Sequence, residues 1–287
     1  MHSSIPESDT SNAAKRRRYL TPSAKIGAGV LAVIVLAALA PVVFTRANPE
    51  QPDIMSRLAP PSPGHLLGTD NIGRDLLARL VYGARTSLLV SVISVGGAAL
   101  IGVTVGLLAG YYGGWAETAV MRTVDIFLAF PAILLALALV AVLGAGVTSV
   151  IVALTLVFWT QYARVVRAAT LSEKEKAYVE AARAIGAGNI RILFRYVLPN
   201  VLSPVVILAT LGMGTAVVAE STLSFLGMGV QPPAPSWGWT LAFGTRYLRD
   251  APHIATFSGG AIMLTVLGFN LLGDGIRDML DPKFRPQ

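Results

Sequence analysis

Residues 126–163 read IFLAFPAILLALALVAVLGAGVTSVIVALTLVFWTQYA, 38 residues in succession without a formal charge. As one helix they would extend about 57 Å, nearly twice the ~30 Å hydrocarbon layer of a bilayer. The stretch must therefore turn back on itself, and Gly144-Ala145-Gly146 near its middle has the composition of a tight turn. Two membrane spans are expected from it, over 126–143 and 147–166. Pro131 in the first permits a kink, because neighbouring helices can satisfy the carbonyl it frees.

Working outward, the whole chain has the same character. Of its 287 residues 54% are hydrophobic and 14% charged, and the mean hydropathy is +0.63, which places it among multi-spanning membrane proteins. Cysteine is absent, which excludes disulfides and thiolate metal sites. The net charge of +7 comes from Lys and Arg in short blocks beside apolar runs. Orientation in the membrane explains that placement, and it argues against nucleic acid as a partner.

An uncharged run at 26–45, preceded by Lys15-Arg16-Arg17-Arg18 and Lys25, is too long for a signal-peptide core and reads as an uncleaved first span. Residues 1–25 form a polar tail. Residues 46–86 are expected to be an extracytoplasmic loop: five prolines between Pro49 and Pro63 forbid a helix there, and from an N-cap at Thr69 or Asp70 a short amphipathic helix lying along the membrane surface is expected. The core, 87–275, opens with an uncharged stretch from Ser87 to Tyr112 that carries Gly102-xxx-Gly106-xxx-Gly110. Small residues at that spacing let two helix backbones approach closely in lipid, and the neighbour lies either in this chain or in another subunit. A fifth span is expected from about 201 to 224 and a sixth from about 253 to 273, joined by a Pro/Gly/Trp-rich loop; 276–287 form a second polar tail. With six spans and both termini inside, sixteen of the 23 Lys and Arg residues fall on the inner side, as the positive-inside rule requires. The fold class is thus all-α integral membrane with six transmembrane helices and cytoplasmic N- and C-termini.

The most basic inner segment, 167–200, contains a unit of its own. Lys174–Ile185 has helical character and stops at Gly186, a residue that enters the left-handed region freely. A second helix, 189–198, would put Ile190, Leu193, Phe194 and Val197 on one face and end before Pro199. Asp125 follows Arg122 by three residues and is expected to pair with it. Glu220 is the one charge in the fifth span, and an intramembrane ionisable group is a candidate for lining a pathway or an outer gate, the alternative being bonds within the bundle. Asp274, Asp278 and Arg277 read as a solvated helix end.

Catalytic machinery is missing from the pattern. There is no Gly-Lys pair and so no phosphate-binding P-loop, and Ser258-Gly259-Gly260 sits in an apolar span. His2, His65 and His253 are scattered and no HExxH occurs, so neither a catalytic residue nor a metal ligand is assigned. An ATP-independent secondary transporter would show internal repeats or paired broken spans with intramembrane charges, and these are not evident. A membrane enzyme would need a convergent set of acids, histidines or a nucleophile.

Glu180-Ala181-Ala182, Gly186 and Leu198-Pro199 resemble the EAA loop of permease subunits of ATP-binding-cassette importers, with Tyr196 where isoleucine is usual. Residues 68–88 (GTDNIGRDLLARLVYGARTSL), 223–238 (LSFLGMGVQPPAPSWG) and 270–282 (NLLGDGIRDMLDP) resemble segments of the dipeptide, oligopeptide and nickel permeases, C-type partner. The resemblance spans about residues 20–285. It implies a type I importer permease in a bacterial inner membrane, half of the translocation pathway for di- or oligopeptides, or alternatively for nickel or another small solute. It also implies a heterodimer with a B-type permease, two ATP-binding subunits that use ATP and Mg, an extracytoplasmic substrate-binding protein, and no cofactor on this chain itself. On this expectation the EAA loop couples to the ATPase by a helix-in-groove contact, and Trp237, Trp239 and Tyr247 of the outer loop meet the binding protein.

Overall fold

The computed structural model describes residues 21–280, and among these the regular secondary structure is helical, without named strands. Ten α-helices follow in chain order: α1 (Pro22–Leu39), α2 (Leu76–Tyr112), α3 (Gly114–Leu128), α4 (Ala132–Leu143), α5 (Val147–Glu173), α6 (Ala177–Ala184), α7 (Asn189–Ile192), α8 (Leu198–Phe225), α9 (Trp237–Arg246) and α10 (Pro252–Leu280). A π-helical turn, Leu193–Val197, joins α7 to α8 into one 37-residue run. Five helical runs are long and apolar enough to cross a membrane, and the bent pair α3–α4 makes a sixth. The basic segment 164–200, the start of α1 and the end of α10 lie at one end of the bundle, called here the basic end; residues 40–75 and 226–251 lie at the opposite end. Of the expected tails, 1–25 and 276–287, residues 1–20 and 281–287 lie outside the described residues. Helix α1 starts at Pro22 within the first and stops at Leu39, short of the expected 26–45, because Pro41 follows, and α10 continues to Leu280, through the beginning of the second.

The turn at Gly144-Ala145-Gly146 separates α4 from α5 as expected from length. The helix before it departs from expectation. Instead of one kinked span over 126–143, the chain bends by 92° between α3 and α4. Pro131 is the N-cap of α4: without an N–H it cannot extend the ladder of α3, and it starts a new helix instead.

No separate surface helix precedes α2. Asp75, not Thr69 or Asp70, is the N-cap, its Oδ1 accepting from Ala78 N at 2.8 Å, and the helix then runs unbroken to Tyr112. The expected short helix is instead the first turns of a membrane span. Asp70 is buried elsewhere: its carboxylate accepts from Arg74 Nε at 2.6 Å and from the backbone N–H groups of Ile72 and Arg74, with Arg79 Nε 3.5 Å away. Arg79 reaches the Pro49 carbonyl at 3.0 Å. Two arginines on one acid thus tie the proline-rich segment to the start of α2.

The glycine ladder of α2 meets α5 of the same chain. A Cβ on Gly102 would lie 2.5 Å from the Trp159 carbonyl oxygen, one on Gly106 2.5 Å from that of Ala163, and one on Gly110 2.8 Å from Thr170 Cβ. The two backbones are in contact, which is what small residues every four positions allow. At the other edge of the bundle α1 packs on α10 in the same manner, where a Cβ on Gly27 would lie 2.7 Å from the Gly268 carbonyl oxygen.

Candidate functional site: the α6–α7 unit at the basic end

The unit begins where α5 ends at Glu173 and ends where the chain re-enters the bundle in α8. Val179 and Ala182, one turn apart, bury the inner face of α6, leaving Glu180, Ala181 and Arg183 exposed. Helix α6 ends in a Schellman turn: Gly186 N donates to Arg183 O at 2.9 Å and Ala187 N to Ala182 O at 3.0 Å. Gly186 has φ +82° and nothing lies within 4 Å of a Cβ built on it, so its requirement is purely conformational. The helix is shorter than expected, Ala177–Ala184 rather than 174–185, because Lys174 still caps α5, its N–H donating to Thr170 O, while Lys176 is the N-cap of α6.

The second arm differs more. It does not stop before Pro199: Leu198 N donates to Leu193 O across the π turn, and Leu198 and Pro199 open α8. Pro199 has no N–H to donate back into this turn, and Asn200 Nδ2 donates to the Tyr196 carbonyl at 2.8 Å. The extra residue also rotates the arm's faces. Ile192, Leu193 and Val197 are buried, whereas Ile190 and Phe194, expected beside Leu193 on one inward face, point outward. Tyr196 is half-buried and packs against the core, so the departure at that position is accommodated.

What results is a projecting surface with three large apolar side chains, Ile185, Ile190 and Phe194, that are 81%, 72% and 63% exposed, interspersed with Arg183, Arg191 and Arg195, also exposed. Its base is held from several sides. Tyr111 Oη donates to Asn189 Oδ1 at 2.9 Å, Lys174 Nζ donates to the Gly110 carbonyl at 2.8 Å, and the Arg183 guanidinium lies 5.7 Å from the centroid of the Tyr111 ring. Tyr178 donates to the Glu173 carboxylate and accepts from Asn200 Nδ2. Burial, then the Glu173 carboxylate, pushes the Tyr178 hydroxyl up to about 12, so it stays a donor at neutral pH.

The other sequence-derived candidates lie far from this unit. Glu220 is fully buried at the opposite end of α8, where its carboxylate accepts from Ser87 Oγ at 2.8 Å and Ser224 Oγ at 2.7 Å, with Ser221 and Ser236 each at 3.4 Å. It bonds within the bundle, joining α2, α8 and the segment before α9, and presents no atom to an open groove. Trp237 is buried as well, its Nε1 donating to the Leu80 carbonyl at 2.8 Å, which removes it from any external contact surface. Trp239 is half-buried and stacked on Phe243, and Tyr247 is half-buried against the core. The segment taken for a loop is helix α9 over Trp237–Arg246. Asp125 pairs with Arg164 of α5 at 2.6 Å, not with Arg122.

Beside a smaller hollow between α5 and α8 that includes Gln161, sequence reasoning passed over the groove between α4, α5 and α8, lined by Phe158, Thr215, Val218 and Thr222 among others. Its polar groups are uncharged, and hydroxyls in a span usually bond back to their own helix, as Thr222 Oγ1 does to Val218 O at 2.8 Å. Among the described residues no group of three or more His, Asp or Glu side chains is placed to hold a metal ion.

Three kinds of known protein resemble the chain. Residues 102–286 match the family described as binding-protein-dependent transport system inner membrane component. The dipeptide transport system permease protein DppC of Alkalihalophilus pseudofirmus is 43% identical over 91% of this chain and 86% of its own length. The glutathione transport system permease protein GsiD of Pectobacterium atrosepticum is 43% identical over 94% of this chain and 90% of its own. A solved structure of the MetNI methionine ABC transporter in an inward-facing conformation aligns with 70% of this chain and 95% of its own, with a TM-score of 0.56 and 26% identity; a second crystal form gives a TM-score of 0.53 at 24% identity, over 69% of this chain and 96% of that one. The family match, the curated relatives and the shared helical architecture agree: the chain belongs to the inner membrane components of binding-protein-dependent transport systems.

Proposed function

We propose that this chain is one permease subunit of an ATP-driven peptide importer, and that the α6–α7 unit is the lever on which a separate ATPase subunit acts. The observation that carries the proposal is the exposure of Ile185, Ile190 and Phe194 on a short, basic, helix–turn–helix projection outside the apolar part of the bundle. Large apolar side chains on a projecting helical surface are anchors for a groove on a partner. ATP binding by two such partners closes them on each other, displaces the unit, and reorients the spans attached to it. The complex also contains a second, B-type permease and an external binding protein, with ATP and Mg used by the ATPase subunits. Both chain termini and the unit face the cytoplasm, consistent with the excess of Lys and Arg at the basic end. Peptide as the cargo is supported by the dipeptide and glutathione permeases to which the chain is 43% identical. The groove bearing Thr215 and Thr222 is the wall this subunit contributes to the path.

Replacing Phe194 and Ile190 together by aspartate is expected to abolish co-purification of the ATPase while leaving the second permease bound. Retention of the ATPase by that variant sinks the lever assignment. Gly186→Val, which forces a β-branched residue to φ +82°, is expected to keep the ATPase and lose uptake. Because the chain has no cysteine, single-cysteine labelling from either side of the membrane tests the orientation without further engineering. Uptake of a labelled dipeptide, glutathione and nickel by the reconstituted complex identifies the cargo.

A further inference from the structure

We propose that Tyr111, Asn189 and Lys174 fasten the α6–α7 unit to the last turn of α2, so that displacement of the unit is imposed on α2 as well as on α5 and α8. This rests on the unit being the ATPase-driven lever. Chain connectivity alone ties the unit to α5, from which it arises, and to α8, into which it continues. Helix α2 is otherwise tied to the unit only indirectly, through its seam with α5, yet three of the unit's side chains converge on its last turn.

Each contact engages a different part of the unit. At the entrance, Lys174 Nζ donates to Gly110 O at 2.8 Å and lies 3.5 Å from Tyr111 O. These are carbonyls of the last turn of α2, which lack intrahelical donors and carry the negative end of the helix dipole. In the middle, Arg183 stands 5.7 Å from the Tyr111 ring centroid, within cation–π range. At the exit, Asn189, the first residue of α7 and just beyond the turn at Gly186, accepts from Tyr111 Oη at 2.9 Å. Tyr111 is itself buried. A docked partner cannot reach it, and it acts only through its own chain.

Helix α2 is suited to pass the displacement on. It runs 37 residues without a break, about 55 Å, from this fastening to the opposite end of the bundle. There Ser87 binds Glu220 and the Leu80 carbonyl accepts from Trp237. A shift at Tyr111 is thus delivered to α8 and α9 at the end remote from the ATPase. Tyr111 is a positioning residue for coupling, not a contact for cargo or nucleotide.

The test uses the assembled transporter in proteoliposomes with its binding protein, scored as radiolabelled dipeptide taken up per ATP hydrolysed. Tyr111→Phe keeps the ring and its Arg183 contact and deletes the hydroxyl; Asn189→Ala deletes the acceptor; Asn189→Asp keeps an acceptor oxygen. Tyr111→Phe and Asn189→Ala are each expected to lower the ratio about five-fold, the factor carried by one neutral hydrogen bond. The double variant should fall no lower than either single one, and Asn189→Asp should stay near the native ratio. ATPase co-purification and basal ATP hydrolysis should be native in all four. A native ratio in Tyr111→Phe, additive losses in the double variant, or loss of the ATPase from Tyr111→Phe overturns the fastening. A native preparation that brings down no ATPase overturns the lever reading itself and the fastening with it, and the native control tells that failure from the others.

Discussion

The α2–α5 seam and the α3 half of the α3–α4 arm are held in opposite ways. Along the seam Gly102, Gly106 and Gly110 bring two backbones into contact, and the space is filled by main-chain atoms and Cβ groups. The α3 half of the arm is held to α5 by side-chain tips, Asp125 to Arg164 at 2.6 Å, Glu117 to Arg167 Nε at 2.6 Å, and Phe127 edge-on to Trp159 with centroids 6.0 Å apart, whereas α4 buries Ala136 and Val140 in the core. Ile126, Phe130, Leu134 and Val142 of the arm are exposed. In water that surface would drive collapse, but lipid tails are as apolar as leucine, so apolarity by itself holds no two spans together. Residue size decides instead. Glycine lets dispersion and close backbone packing make a rigid pair, whereas long charged side chains make a tether that can be stretched or exchanged.

The most severe way to break this contrast is Gly106→Val. Its Cβ would meet the Ala163 carbonyl oxygen at 2.5 Å and Ala163 Cα at 3.0 Å, and main-chain atoms cannot rotate away. A cost above about 3 kcal/mol is expected, read as loss of the protein from the membrane fraction and a lowered detergent melting temperature. Native accumulation and melting would show that the seam is not the rigid element of the bundle. Next in size is Glu220→Ala, which strands the hydroxyls of Ser87 and Ser224 in a dry interior. A loss of about 2–4 kcal/mol is expected for the alanine variant, and less for Glu220→Gln, whose amide oxygen still accepts. Equal melting temperatures for the two variants would remove the hydrogen-bonding explanation. The smallest effects belong to the arm. Glu117 and Arg167 are partly buried, and Glu117→Gln should cost about 1 kcal/mol, while Asp125 and Arg164 are each 53% exposed and Asp125→Asn should cost less than about 0.5 kcal/mol, vanishing at high salt. An Asp125→Asn loss as large as that of Gly106→Val would erase the distinction between seam and tether.

Much of this molecule was legible one residue at a time. The spans, the turn at 144–146, the end of α6 at Gly186 and the EAA-like spacing all follow from length, charge and local backbone preference. What escaped was mostly a question of what lies opposite a residue. Asp125 found Arg164, 39 positions away, rather than Arg122. Glu220 found serines on two other segments, and Trp237 turned inward to the Leu80 carbonyl. The π turn at Leu193–Val197 was hidden because one inserted hydrogen-bond register changes which side chains face out without changing composition. Helix α9 was hidden by the prolines that precede it and by its own tryptophans and glycines, which suggest a loop until Ser236 is seen to start a helix packed on α8 and α10.

The sequence by itself determined that the chain is a multi-span helical membrane protein with a basic helix–turn–helix projection, because span length, charge placement and the demand for φ > 0 at Gly186 are properties of single segments. Only the tertiary structure decided that the glycines of α2 face α5, that the span after Tyr112 is broken at a right angle, that Glu220 is enclosed, and that Tyr111 reaches Asn189. The physical reason is the solvent. In a bilayer the outward face of a helix is as apolar as the inward one, so hydrophobic periodicity no longer marks which side is packed. Direction is settled by where backbones can approach and where each buried donor finds an acceptor.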